Sequence, residues 1–472
     1  MNIAGMINSE HLQYFTGLLQ PEQIKMTEEE RIGYASDETE NYVFLADVVL
    51  LPNNTKEVAS ILKYCNAEKI PVTALGALTG LSGGALCVHG GVGLSLERLN
   101  TIISIDENNG QVTVEPAVIT QVLQEECAKK GWYYAPDPAS RGSCSIGGNL
   151  AENSGGPHAV KYGVTKDFVL NLEVVLANGD VIWTGANTLK NSTGYNLTQL
   201  MVGSEGTLGI ITKAVLKLVP LPPFNKLLLA PFPSAENACA AVSAIFRAGI
   251  TPSALEFMER DAIAYTLQFV DDVQVDLTGV EAHLLIEVDG TDEASLMLEC
   301  EKILDVLEKF EVGEVLFAED HEQKEKLWKV RRKVGEAVKS HSIYKEEDTV
   351  VPRFELPVLL RGVKEIGSRY GFQSVCYGHA GDGNLHVNIL KGQLTDEEWS
   401  LELPKAIKEI FELVVSLNGT LSGEHGIGFV QKEYMPIAFN EIQLNLMKKI
   451  KQVFDPNGIL NPGKIFPSSH SI

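Results

Sequence analysis

The chain has 472 residues, 44% hydrophobic and 21% charged, which is enough apolar material for the cores of two to four ordinary globular domains. Against 62 Asp and Glu stand only 39 Lys and Arg, a net charge of −23 that makes nucleic acid and anionic membrane surfaces poor partners. An anionic substrate would therefore need a locally positive spot, supplied by a cation or a placed arginine.

The opening stretch "MNIAGMINSEHLQYF" has no basic segment followed by an apolar core, so no signal peptide is expected. No apolar run approaches the roughly 20 residues that span a bilayer, so no transmembrane segment is expected either. Seven scattered cysteines (65, 87, 127, 144, 239, 300 and 376) form no CxxC pair. That usage fits the cytoplasm and neither a disulfide frame nor a zinc ribbon.

In chain order, "VVLLP" (48–52) reads as a strand and "TKEVASILKYCNAEK" (55–69) as a helix with apolar positions at helical spacing. "IPVTAL" follows as a strand and runs into the glycine-dense "TALGALTGLSGGAL" (73–86). Glycine lets backbone N–H groups crowd toward an anion. The loop is neither a GxGxxG dinucleotide fingerprint nor a Walker loop, which would end in Gly-Lys-Ser/Thr. "GQVTVEPAV" is a strand, "ITQVLQEECAKKG" a helix ending on glycine, and "VLNLEVVLANGDVIWTG" a hairpin turned at Asn178-Gly179. Two further loops, 137–163 and 194–212, are again dense in Gly, Ser, Asn and Thr. Three such loops in one region suggest the wrapping of a long, phosphate-bearing ligand.

"LVPLPPF" (218–224), with three prolines in seven residues, marks a boundary. Beyond it, "KLLLAPF", "AENACAAVSAIFRAG", "AHLLIEVDG" and "EASLMLECEKILDVLEKF" alternate strand and helix as in a β-α-β module of α+β type. "LWKVRRKVGEA" places Arg331 beside Arg332, about 100° apart on a helix, so only one can serve a given ligand. Lys345, in "YKEEDTVVP", is a weaker cation candidate, since Glu346, Glu347 and Asp348 suggest plain surface.

"YGHAGDGNLHVNIL" (377–390) sets His379 and His386 on either side of a Gly-Asp-Gly turn. Reversal at the turn can bring the two imidazoles together, and alternation puts Asn388 on the face of His386. "GTLSGEHGIG" (419–428) adds Glu424 and His425 among small residues. Two imidazoles and a carboxylate make an open three-ligand set suited to zinc, manganese or iron(II). The tail "EIQLNLMKKIKQVFDPNGILNPGKIF" reads as a helix and a fixed coil.

The segments "GALTGLSGGAL", "SIGGNLAENSGGPHAVKYG", "GSEGTLGIIT" and "FDPNGILNPGKIF", in this order, resemble the vanillyl-alcohol oxidase / p-cresol methylhydroxylase flavoprotein superfamily. The nearest branch is that of the glycolate oxidase subunit, D-lactate dehydrogenase and D-2-hydroxyglutarate dehydrogenase, and the likeness covers residues 40–466. It implies an α+β architecture: a two-subdomain FAD-binding domain (1–220), a ferredoxin-like α+β cap carrying the metal site (221–428), and a C-terminal segment (429–472) returning to the FAD domain. It places Gly76, Thr79, Gly80, Leu81 and Ser82 at the FAD pyrophosphate. Pro136, Gly147, Gly148, Asn149, Ser154 and Gly155 would follow the isoalloxazine and ribityl, with Glu205, Gly206 and Ile211 on the adenosine side and Asn461 returning from the tail. Two positions depart from the family's Arg-Gly-x-Gly-Thr loop, Leu75 for the arginine and Leu78 for the second glycine. Ala77 lies near where some members attach flavin to histidine, so the expected FAD is non-covalent.

The resemblance also implies that His379, His386 and Glu424 hold a divalent metal, that Asn388 and His425 face the substrate, and that Arg331 takes its carboxylate. The expected reaction is oxidation of a D-2-hydroxy acid to the 2-oxo acid, with hydride passing to flavin N5. A cation would acidify the alcohol, and His425 would be the general base. D-lactate ranks first as substrate, D-2-hydroxyglutarate second and glycolate third; the single convincing cation tilts the first choice away from a diacid. The rival readings are a metallohydrolase, which would be colourless, and a non-catalytic flavin redox subunit. No motif identifies the electron acceptor, and the expected assembly is a homodimer, with the flavin subunit of a larger assembly as the rival.

Overall fold

A computed structural model describes residues 7–39, 42–270, 273 and 275–468. Residues 1–6, the start of the stretch read above for a leader, lie outside them. The chain divides into two compact units, Met1–Gly155 with Gly163–Leu221 and Glu424–Ile472, and Gly156–Tyr162 with Pro222–Gly423. Both mix helices and sheets, giving an α+β architecture.

The first unit holds a four-stranded sheet in the order Ile24–Lys25, Val48–Leu50, Val92–Ser95, Val72–Leu75. The last three strands run parallel. Helix Thr55–Glu68 makes the crossover that parallel pairing requires. Asn54 caps it, accepting from the Glu57 N–H, and Lys69 ends it in the left-handed region. Its buried positions Val58, Ile61, Leu62 and Cys65 follow helical spacing and pack into one core with Val72, Val92 and Leu94. The C-terminal tail extends this sheet: the Val72 N–H donates to the Ile459 carbonyl and the Asn461 N–H to the Val72 carbonyl, both at 2.8 Å. A second, antiparallel sheet runs Ile102–Asp106, Gln111–Val114, Ile210–Lys217, Val169–Val175, Val181–Trp183, its last hairpin turning through Gly179 at φ +86°.

In the second unit a seven-stranded antiparallel sheet takes the order Leu316–Phe317, Phe224–Phe232, Ala282–Gly290, Ala254–Glu259, Gln373–Gly378, Asn384–Leu390, Tyr344–Val350. Helices Ala235–Arg247, Glu293–Leu307 and Leu356–Tyr370 bury apolar stripes. The inserted segment 156–162 is fixed to it by polar contacts: His158 Nε2 lies 3.3 Å from Glu287 Oε1, and the Tyr162 hydroxyl donates to Asp289 at 2.7 Å. Among the described residues no helix is long and apolar enough to cross a membrane, and all seven cysteines are buried and unbridged.

Candidate active site

The three glycine loops of the first unit surround one cavity. Gly76, Thr79, Gly80 and Leu81 line it from the first loop, and Gly147, Gly148, Asn149 and Ser154 from the second. The third loop contributes Glu205, Gly206 and Ile211, and the tail Asn461. Glu424 and His425 also face this space. Three of the residues expected there do not line it. Ser82 uses its carbonyl to accept the Phe429 N–H at 2.9 Å. The Pro136 carbonyl accepts from Gln124 Nε2 at 3.0 Å, while Gly155 donates its N–H to Glu424 Oε2 at 3.1 Å.

Small residues are a geometric requirement here. A Cβ on Gly76 would stand 3.3 Å from Ser145 Oγ, and one on Gly147 only 2.6 Å from Pro116 Cβ. Among the described residues no Lys or Arg lines the cavity, so a diphosphate would be met by backbone N–H groups and hydroxyls. A long, flat, phosphate-bearing cofactor fits such walls. Leu78, at the departure noted above, sits at φ +59°, the left-handed region that glycine occupies without strain.

Two carboxylates at this cavity do different work. Glu205, itself at φ +51°, accepts from the Ile427 N–H at 2.9 Å and the Gly428 N–H at 2.7 Å, bracing the loop that follows His425. Glu152 Oε2 is enclosed without a hydrogen-bond partner among the described residues. Burial, and then the charges of Glu205 and Asp37, push its pKa well above the ordinary carboxylate range. Lys464 is buried beside them, donating to the Leu86 carbonyl at 2.6 Å and to Asn461 Oδ1 at 3.0 Å.

In the second unit, register decides which side chains meet. His386 stands opposite Tyr377 on one neighbour and Asp348 on the other; Asn388 stands opposite Val375 and Glu346. Directly opposed residues share a face, so Tyr377, His386, Asn388, Glu346 and Asp348 project together. Lys345 pairs with Ile389 and projects to the other face, away from His386. The expectation of plain surface around it is corrected as well: Glu347 and Asp348 are buried, because this segment is a strand of the sheet.

His379 lies just beyond its strand, in the turn. Gly378 and Gly383 allow that turn: a Cβ on Gly378 would meet the Asn384 carbonyl at 2.6 Å, and Gly383 has φ +79°. The two imidazole centroids are 5.4 Å apart, and one nitrogen of each ring lies within 4.8 Å of the other's. His379 Nδ1 sits 2.8 Å from Glu256 Oε2, which leaves Nε2 as its ligand-competent nitrogen. Arg331 Nη2 reaches the same carboxylate oxygen at 2.7 Å. Burial would raise the Glu256 pKa, but the charges of His379 and Arg331 outweigh it and hold it below the ordinary value.

His386 Nδ1 is 3.5 Å from both Glu346 Oε1 and Asp348 Oδ1. Asp348 in turn accepts from Asn384 Nδ2 at 2.7 Å, Ser422 Oγ at 2.8 Å and the Gly423 N–H at 2.9 Å. Asn388 is fully buried, and neither of its amide atoms is hydrogen-bonded among the described residues; the same is true of Arg331 Nε. Arg332, by contrast, is half-buried and lies 3.7 Å from Glu325.

Two family models match the chain: an FAD binding domain over residues 46–185 and the C-terminal domain of FAD linked oxidases over residues 221–465. The chain belongs to the FAD-linked oxidase family. The chain is 40% identical over 450 residues to the glycolate oxidase subunit GlcD of Bacillus subtilis, covering 94% of each chain. It is 36% identical over 451 residues to D-lactate dehydrogenase of Anaerostipes hadrus, covering 94% of this chain and 95% of that one. It is 32% identical over 452 residues to D-2-hydroxyglutarate dehydrogenase of Stutzerimonas stutzeri, covering 95% and 97%. A crystal structure of p-cresol methylhydroxylase superposes with a TM-score of 0.80 at 19% identity, covering 96% of both chains. The chain therefore has the vanillyl-alcohol oxidase / p-cresol methylhydroxylase fold and is an FAD-linked oxidoreductase.

Sequence reasoning missed Glu256, Asp348 and Glu152. The one signal for Glu256 was an acid in the middle of "ALEFME", flanked by apolar residues, where an unpaired charge is costly and so implies a partner. Nothing local marked Asp348 or Glu152.

Proposed function

We propose that this FAD-linked oxidoreductase converts a short D-2-hydroxy acid of the D-lactate type to the 2-oxo acid, assisted by a divalent cation. The observation that carries the reading is Glu256, which orients one imidazole of a close histidine pair and anchors Arg331 beside it. Relatives named for glycolate, D-lactate and D-2-hydroxyglutarate share the 2-hydroxy-acid unit, and the reading takes that unit as the substrate.

FAD, when bound, supplies a two-electron acceptor, and a divalent cation supplies positive charge that makes an alcohol more acidic. His379 Nε2, His386 and Glu424 would hold the cation. The donor set fits zinc, manganese or iron(II). Carboxylates stand close to both histidines, Glu256 at His379 and Glu346 and Asp348 at His386, and would hold the two rings in place. Chain continuity supports the third ligand. Gly423, immediately before Glu424, is tied by its N–H to Asp348, the residue opposite His386.

Arg331 would orient the substrate carboxylate, with Nε still available to donate. Asn388 would hydrogen-bond the substrate, which answers its unpaired buried amide. His425 would take the hydroxyl proton on a ring nitrogen, a role worth typically about 10²–10⁴-fold in rate. The reduced enzyme must then pass its electrons to a separate acceptor, and the seven free cysteines suit a cytoplasmic setting.

The test is spectroscopic. The purified protein should be yellow and should bleach anaerobically with D-lactate. His386→Ala should keep the flavin, lose the metal by elemental analysis and fail to bleach. Persistent yellow across a panel of D-hydroxy acids would defeat the proposal.

A further inference from the structure

We propose that Glu152 is a cofactor-binding residue whose carboxyl donates a hydrogen bond to the bound FAD. The inference rests on the FAD-linked family assignment and not on the choice of substrate. Glu152 ends helix Ile146–Glu152 and lines the glycine-walled cavity together with Gly76, Gly148 and Asn461. Its Oε2 is enclosed and has no hydrogen-bond partner among the described residues. Two glycines admit the carboxyl: a Cβ on Gly84 would stand 3.0 Å from Oε1, and one on Gly426 would collide with Oε2.

The surroundings select the neutral acid. Glu205 and Asp37 bring negative charge close, and Lys464, whose charge acts the other way, is committed elsewhere. Its ammonium donates to the Leu86 carbonyl at 2.6 Å, the Gly84 carbonyl at 3.2 Å and Asn461 Oδ1 at 3.0 Å. Burial raises the Glu205 pKa as well, but the Ile427 and Gly428 N–H groups oppose it there. Of two interacting acids, the one without such donors keeps the proton. An enclosed carboxylate with no donor is costly, whereas a neutral carboxyl has an O–H to give. The Gly84 carbonyl beside it already accepts from Asn461 Nδ2 at 2.9 Å and from Lys464. FAD offers phosphate, ribityl and flavin acceptors. Among the described residues the lining holds no Lys or Arg, so an ionised Glu152 would repel the diphosphate where a neutral one can donate.

The experiment uses the full-length holoenzyme and measures FAD release on dilution by flavin fluorescence; no substrate enters it. Glu152→Gln keeps an N–H donor on a side chain of nearly the same shape and should hold FAD within about threefold of wild type. Glu152→Leu keeps the bulk without a donor and should weaken FAD binding by about tenfold. Stripped of FAD, Glu152→Leu should melt no lower than stripped wild type, because an unpaired enclosed carboxyl does not stabilise the fold. The inference is overturned if Glu152→Leu holds FAD as tightly as wild type, or if Glu152→Gln loses it as readily as Glu152→Leu. A lower melting temperature for stripped Glu152→Leu would also overturn it, by making the acid structural. A further measurement needs no variant. The infrared difference between wild-type protein with and without FAD should show a protonated-carboxyl band that shifts on binding, and its absence would equally overturn the inference.

Discussion

The glycine-lined cavity of the first unit and the charged sheet face of the second are built from different materials. The cavity is walled by backbone, with Gly76 and Gly147 present because a Cβ would strike Ser145 or Pro116. The sheet face is made of side chains tied together through two carboxylates, Glu256 by ion pairing and Asp348 by hydrogen bonds. A backbone site tolerates changes that keep the chain's path. A side-chain site fails when a single hub is removed, because each charge depends on its partner.

The contrast can be broken most forcefully at Glu256. Glu256→Gln removes the partner of both His379 and Arg331. It should cost about 3–5 kcal/mol in denaturant unfolding, because Arg331 is left buried and uncompensated. It should also lower metal affinity by about 10–100-fold, read by titration against a chelator. Near-wild-type stability and metal binding would mean that the two hub contacts are incidental.

A pH effect tests the first unit. Burial lowers the Lys464 pKa from 10.5 to about 8. Between those values the folded chain binds fewer protons than the unfolded one, so stability should rise with pH across that window, by about 3 kcal/mol. Lys464→Met should flatten the rise in unfolding measured from pH 8 to 10.5. An unchanged slope would show that the ammonium is not desolvated. The smallest effect concerns the loop backbone. Leu78→Gly should be more stable than Leu78→Ala by about 1 kcal/mol although it removes more side chain, because only glycine relieves the left-handed strain. The reverse order would indicate that packing against Leu75 and Cys87 outweighs backbone conformation there.

The same contrast governs what could be read in advance. Helical spacing in 55–69 and the Asn178-Gly179 turn are local signals, and both elements stand as read. The expected loop residues Gly76, Gly148, Gly206 and Asn461 line one space, since a glycine's purpose is written in its own missing side chain. Ser82, Pro136 and Gly155 fall outside it, because whether a residue faces a cavity or supports its wall depends on partners far along the chain. The acidic run at 346–348 looked like surface because charge usually is. Its burial comes from strands paired about 40 residues apart.

Residue order alone determined the alternation of strands and helices, the glycine loops and the histidine turn, because these rest on backbone conformations that neighbouring residues impose. Tertiary structure decided which polar groups meet: Glu256 with His379 and Arg331, Asp348 with the Gly423 N–H, Lys345 turned away and Glu346 turned in. The physical reason is that electrostatic pairing depends on separation in space, and strand register, which sets that separation, is a property of two segments at once.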